Sequence, residues 1–152
     1  MTHSTAALRR TLEHAFAGTA PPPQPIPPAP VGHPGHEERQ QLAAAFAGKS
    51  WRDVPVAVAQ HHHDALPFFS DEGFRHFLPA WLRGALEPDT DLDFFALQEL
   101  RPPPGVAERA AFEGRVAGFS PEQRAAIAAF LAHLAPDDFD AEALAAARRF
   151  WT

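Results

Sequence analysis

Proline placement constrains this chain more than any other feature. Eight of its seventeen prolines fall between Pro21 and Pro34. Proline lacks a backbone donor and biases the preceding residue away from the helical region, so this stretch reads as extended or polyproline II. Elsewhere prolines punctuate segments whose apolar residues recur with helical spacing, as at Pro102-Pro103-Pro104, Pro121 and Pro136. Strand-like alternation is absent throughout. The expectation is an all-α, compact single domain over residues 1–152. It comprises about six to eight short helices, with residues 19–36 forming a proline-rich connector wrapped after the first. Ile26, the large aliphatic residue in the middle of that connector, is expected to anchor it to the core.

Individual helices can be placed from their stripes and caps. The first runs from about Ser4 to Phe16 on Leu8, Leu12, Ala15 and Phe16, with Gly18 as a stop. A short helix follows over about Glu37 to Ala47, and another from Trp51 or Val54 to Asp64. Ser70 then caps a helix with Asp71 and Glu72 in its first turn, where the dipole favours acids. Phe74, Phe77, Leu78, Trp81, Leu82 and Leu86 form its apolar side. Pro79 lies inside this stripe yet does not break its phase, which predicts a kinked helix or two collinear ones. Thr90 with Asp93 resembles a capping box opening a helix from about Asp91 to Leu100. Leu92, Phe95, Phe94 and Leu97 make that helix apolar on two sides, which predicts a central place. A helix from about Val106 to Gly118 comes next. Ser120-Pro121-Glu122-Gln123 then sets a cap, a first-turn proline and a capping-box glutamine. The last helix, about Asp140 to Trp151, carries acids at its start and Arg148 and Arg149 at its end.

Charge and composition exclude several functional classes. Net charge is −6 with a single lysine, Lys49, and the arginines are scattered, whereas a nucleic-acid groove needs clustered basic charge. No apolar run is long enough to span a membrane, and the first ten residues lack the pattern of a signal peptide. The chain has no cysteine, which removes disulfides, thiolate metal sites and a cysteine nucleophile and fits a reducing cytoplasm. Abundant alanine, arginine in place of lysine, and no tyrosine or asparagine match the codon bias of a GC-rich bacterial genome.

Candidate chemistry is sparse. All four serines, Ser4, Ser50, Ser70 and Ser120, sit at expected helix starts, and no nucleophile elbow surrounds any of them. His61-His62-His63-Asp64 holds good ligands for a divalent transition metal. Adjacent helical residues diverge by about 100°, so any site needs residues from elsewhere. The candidate set is His61, His63, Asp64 and His76. Asp89, Asp91 and Asp93 alternate as in a calcium loop, but Phe94 and Leu100 occupy its glycine and bidentate-acid positions. Phe68, Phe69 and Trp151 are the aromatics expected to be partly exposed, and hence the candidate partner-binding surface.

Several stretches resemble one family of uncharacterised bacterial proteins, a domain of unknown function. They include Phe46-Ala47-Gly48-Lys49-Ser50-Trp51, Ala65-Leu66-Pro67-Phe68-Phe69-Ser70 and Ser120-Pro121-Glu122-Gln123-Arg124. The most distinctive is Gly73-Phe74-Arg75-His76-Phe77-Leu78-Pro79-Ala80-Trp81-Leu82, with its Phe-x-x-Phe/Tyr-Leu-Pro-Ala-aromatic-Leu core. The resemblance implies a cytoplasmic stand-alone domain, a structural role for Pro79, and no activity. The leading expectation is a non-catalytic protein-binding module of immunity or accessory type, without a cofactor and with a protein as partner. The alternatives are a metal-dependent hydrolase or oxygenase built on the His61–Asp64 cluster, and a small-molecule binder with an aromatic pocket near Pro79.

Overall fold

The computed structural model describes residues 4–152, and every regular element in them is helical. The α-helices are α1 (Thr5–Ala15), α2 (His36–Phe46), α3 (Val56–His61), α4 (Asp71–Gly84), α5 (Leu92–Leu100), α6 (Val106–Val116), α7 (Pro121–His133) and α8 (Ala141–Trp151). Single 3-10 turns at Trp51–Asp53, Leu66–Phe68 and Pro136–Asp138 link them. None of these helices is long and apolar enough to cross a membrane.

Helix α4 is the axis of the fold, and α1, α3, α5 and α6 all pack on it. Ten of its fourteen residues are buried, from Gly73 to Gly84. The one-sided stripe read from the sequence is therefore too narrow, and the central place assigned to α5 belongs to α4. Helix α5 buries Leu92, Ala96, Leu97 and Leu100 but leaves Phe94 half exposed. Pro79 lies within one continuous helix. The proline removes a ladder bond at Arg75 without ending the helix, because packing on several sides holds the backbone in place.

The caps follow the sequence at three serines. Ser4, Ser70 and Ser120 accept from the N–H groups of Ala7, Gly73 and Gln123, and Gln123 completes a capping box. Asp140 does the same for Ala143. Ser50 precedes the Trp51–Asp53 turn without a side-chain cap bond. Thr90 also departs from expectation. Its hydroxyl donates to the Gly84 carbonyl at the end of α4, and Asp91 takes the cap position of α5.

The proline-rich segment is a strap drawn over the start of α4. The Ser70 N–H donates to the Pro25 carbonyl at 2.8 Å, Ile26 is buried in the core, and His36 Nδ1 meets the Ala29 carbonyl at 2.8 Å. The close approach depends on Gly73, where a Cβ would stand 2.5 Å from the Pro25 carbonyl oxygen. Gly73→Ala should consequently lower stability by about 1–3 kcal/mol, since a backbone carbonyl cannot swing aside as a side chain can. Gly114, at an exposed position within α6 and with nothing near its missing Cβ, is the control. Gly114→Ala should raise stability by about 0.5–1 kcal/mol. Urea denaturation of both variants checks the pair, and equal shifts of the same sign would contradict the tight contact.

Candidate functional site

Helix ends organise the polar side chains of this molecule. A short helix leaves about four carbonyls without partners at its C-terminus. Here each tryptophan indole donates to one of them or to the chain just beyond: Trp51 to Phe16 at 3.1 Å, Trp81 to His63 at 3.0 Å, and Trp151 to Leu100 at 2.7 Å. Arginines do the same, Arg148 to Leu131 and Leu134, and Arg75 to Arg115 at 2.8 Å.

His76 answers the same demand from the opposite pole. It is the buried polar side chain of the core, 2% exposed, and its Nε2 accepts the Trp51 backbone N–H at 3.0 Å. A nitrogen that accepts an N–H carries no proton, so in the neutral ring the proton sits on Nδ1. Burial pushes the His76 pKa down to about 4, which keeps the ring neutral at pH 7. The Nδ1–H is buried and has no acceptor among the described residues. An unpaired buried donor of this kind is rare.

His76 also forms part of the wall of a polar cleft of about 280 Å³. Glu72 and Arg75 come from the same face of α4, Gly118 and Gln123 from the end of α6 and the start of α7, and Thr19 from the chain leaving α1. Arg75 reaches across Gly118, where a Cβ would stand 2.6 Å from its Nε. Its Nη1 is bound to the Arg115 carbonyl, and its remaining N–H groups have no acceptor among the described residues. Gln123 accepts the Ser120 N–H with Oε1 at 2.9 Å, which leaves its Nε2 group as a donor.

The sequence-derived sites fare differently. His63 stacks on Phe95 at 4.2 Å between ring centroids and meets Asp91 at 3.1 Å. His62 packs edge-on against Phe46, and burial followed by the neighbouring His61 lowers its pKa. His61 and Asp64 are exposed, and His76 faces Trp51 instead. Among the described residues no three His, Cys, Asp or Glu side chains come together to hold a metal ion, so His61, His63, Asp64 and His76 are not a ligand set. Consecutive side chains fan out where a helix ends, and Phe95 with Asp91 captures one of them. Of the aromatics expected to be partly exposed, Phe68 is so, half-buried beneath Arg39, whereas Phe69 and Trp151 are only 3% and 4% exposed. Trp151 lies inward because its indole closes the end of α5. Sequence reasoning missed Glu72, Arg75, Gln123 and Thr19. Glu72, Arg75 and His76 at i, i+3 and i+4 on the most buried helix were the available signal.

A model of a family of unknown function, DUF6714, matches residues 31–152. No curated protein and no solved structure matches the chain. The matched span holds Glu72, Arg75, His76, Gly118 and Gln123 of the cleft, whereas Thr19 precedes it.

The bond between Trp51 and His76 makes a pH-dependent prediction. His76→Leu leaves the Trp51 N–H unpaired and should cost about 1–3 kcal/mol at pH 7. Below pH 6.5 the unfolded chain protonates this histidine, while the folded chain resists until about pH 4. The wild-type advantage is therefore complete above about pH 6.5 and shrinks as pH falls towards 4. Denaturation midpoints of wild type and variant across pH 4–7 read this directly, and a constant gap would refute the neutral ring.

Proposed function

Because the chain belongs to DUF6714, a family of unknown function, membership brings no activity with it, and from the site we propose a non-catalytic binding protein. Its ligand site is the cleft walled by His76. The observation that carries this reading is a cleft in which Arg75 keeps N–H groups without an acceptor, and Glu72 stands without an ion-pair partner, among the described residues. Gln123 adds a donor from the start of α7 to the groups on α4, in keeping with a concave site bearing a few polar groups. A carboxylate, Glu72, and a hydroxyl, Thr19, share the cleft, but the Thr19 hydroxyl donates to the Phe16 carbonyl rather than to a base, which supports binding rather than turnover.

A second reading, that the protein binds a protein partner as an immunity or accessory protein does, is favoured by a separate feature. Helices α1 and α7 leave between them an open groove of about 700 Å³. Alanines at positions 7, 15, 125, 126 and 129 line it, with Arg10, His14 and Glu122 also contributing. Small residues between two helices leave room for the apolar side of a third, the arrangement by which grooves take amphipathic helices.

The two readings separate experimentally. A library of small polar molecules, screened by thermal stabilisation, should contain binders that shift the Gln123 side-chain amide resonances in 1H–15N spectra. Gly118→Ala, which displaces the Arg75 guanidinium, should abolish those shifts. Binders that stabilise the protein without moving Gln123 would place the ligand elsewhere. For the groove, a photo-crosslinking residue at Ala125 should yield one discrete adduct in cells, with none from the same probe at exposed Arg149. Equal labelling from both positions would dismiss the groove.

A further inference from the structure

A second concave site lies apart from the His76 cleft, between the proline strap and α2, and encloses about 170 Å³. Its inner wall is formed by Pro25, Ile26 and Ala29 of the strap, all buried, and by half-buried Ala43 of α2. Proline brings no N–H group, so the strap side of this wall is poor in donors. The carbonyls of Pro25 and Ala29 are already engaged, by the Ser70 N–H and by His36 Nδ1, each at 2.8 Å. The same two bonds pin the strap on either side of Ile26, which holds the pocket in shape. A trapped water needs about two to four polar partners, whereas an apolar cavity on the order of 150 Å³ stays dry and takes up a benzene-sized molecule. The space therefore calls for a compact apolar body.

One member of the wall departs from this apolar character. Arg39, half-buried on α2, lines the pocket, and its guanidinium lies 5.7 Å from the centre of the Phe68 ring. It forms no ion pair within 4.0 Å among the described residues. Its Nε is buried and out of a ligand's reach, so the donors it can offer are the two Nη groups. Glu37 and Glu38, its neighbours along α2, are exposed and take no part in the wall. A guanidinium is seldom drawn below the surface without a counter-ion. A carboxylate supplies one, with a single negative charge and two oxygens that match the fork. A neutral ligand leaves the charge uncompensated, and a phosphate dianion sets a second charge against proline and aliphatic carbon.

We propose that this pocket binds a small monocarboxylic acid with a compact apolar body, of the class of benzoate or isovalerate. The carboxylate lies across the Arg39 Nη groups, and the body rests among Pro25, Ile26, Ala29 and Ala43. Strap and α2 both contribute, so the ligand ties one to the other and stabilises the fold. None of these residues lines the His76 cleft, and the two sites stand or fall separately.

The full-length protein is titrated with benzoate and isovalerate, in parallel with benzamide, isovaleramide and acetate. The Ile26 methyl resonances and the melting temperature report on the pocket, the Gln123 side-chain amide on the other cleft, and the Trp151 indole on the core. At least one of the two acids should shift Ile26 saturably and raise the melting temperature, with Gln123 unmoved. Its amide should bind about tenfold or more weakly, as expected for the loss of one charge-assisted bond. Acetate, which lacks the apolar body, should be weaker as well. Arg39→Gln should bring the acid down to the level of its amide, and Ala43→Leu, which fills the pocket with carbon, should abolish binding of both. An unchanged Trp151 indole signal shows that each variant is folded. An amide that binds as tightly as its acid would remove Arg39 from the site and overturn the proposal. So would binding that survives Ala43→Leu, or the lack of any Ile26 shift at about 10 mM ligand, a range that detects even millimolar dissociation constants.

Discussion

The rest of this structure depends on satisfying helix ends. Among the described residues, eight helices of six to fourteen residues leave a large share of their backbone groups without intrahelical partners, and packing them around α4 carries many of those groups away from water. Serines, an aspartate and a capping-box glutamine settle the N-termini of α1, α4, α7 and α8. At the C-terminal ends, indoles and guanidiniums reach in from other elements, often far along the chain. Trp51 shows how far the roles merge. Its ring fills the core against Phe16, its indole N–H binds the Phe16 carbonyl, and its backbone N–H is held by His76. The polar atom at the centre of the fold is thus a structural partner first. Its second nitrogen is buried without an acceptor among the described residues.

The segment before the matched family span is integral to this arrangement. Helix α1 contributes Leu8, Leu12 and Phe16, all fully buried, and packs against α7 as well as α4. The strap that follows is pinned at Pro25 and Ala29 and seals Ile26 into the core. Thr19, between helix and strap, closes one side of the His76 cleft and anchors itself to the Phe16 carbonyl. Proline suits the strap because its conformation is already restricted in the unfolded chain, so laying it across the surface loses less entropy than a flexible loop would.

Much of the fold was legible in the sequence, and for local reasons. A serine before a run of helical spacing, a proline at a first turn and an acid at a helix start act within one turn of chain, so they can be read without knowing the neighbours. The role of Ile26 was visible because an aliphatic residue stranded among prolines has few reasons to exist except burial. Errors came where two elements compete for the same residue. Thr90 had a local cap available but turned to the carbonyl of Gly84. Trp151, near the end of the chain, looked exposable, yet the unsatisfied end of α5 drew it inward. Helix α5 seemed central from its two apolar faces, while α4, whose pattern looked one-sided, was enclosed from all sides.

The sequence by itself determined the helical class, the position of most helices, the caps at their starts and the strap between the first two, because each rests on steric and hydrogen-bonding preferences that operate over a few residues. Only the tertiary structure decided which helix lies at the centre, which carbonyl each tryptophan and arginine closes, and that His76 faces Trp51 rather than the histidines at 61 to 63. Those outcomes turn on pairings between residues separated by tens of positions, such as Trp51 with His76 and Trp151 with Leu100. No periodicity encodes them. The cleft belongs to the same category: Thr19, the Arg75–His76 pair, Gly118 and Gln123 come from separate elements, and they meet because α1, α4, α6 and α7 converge at one end of the bundle.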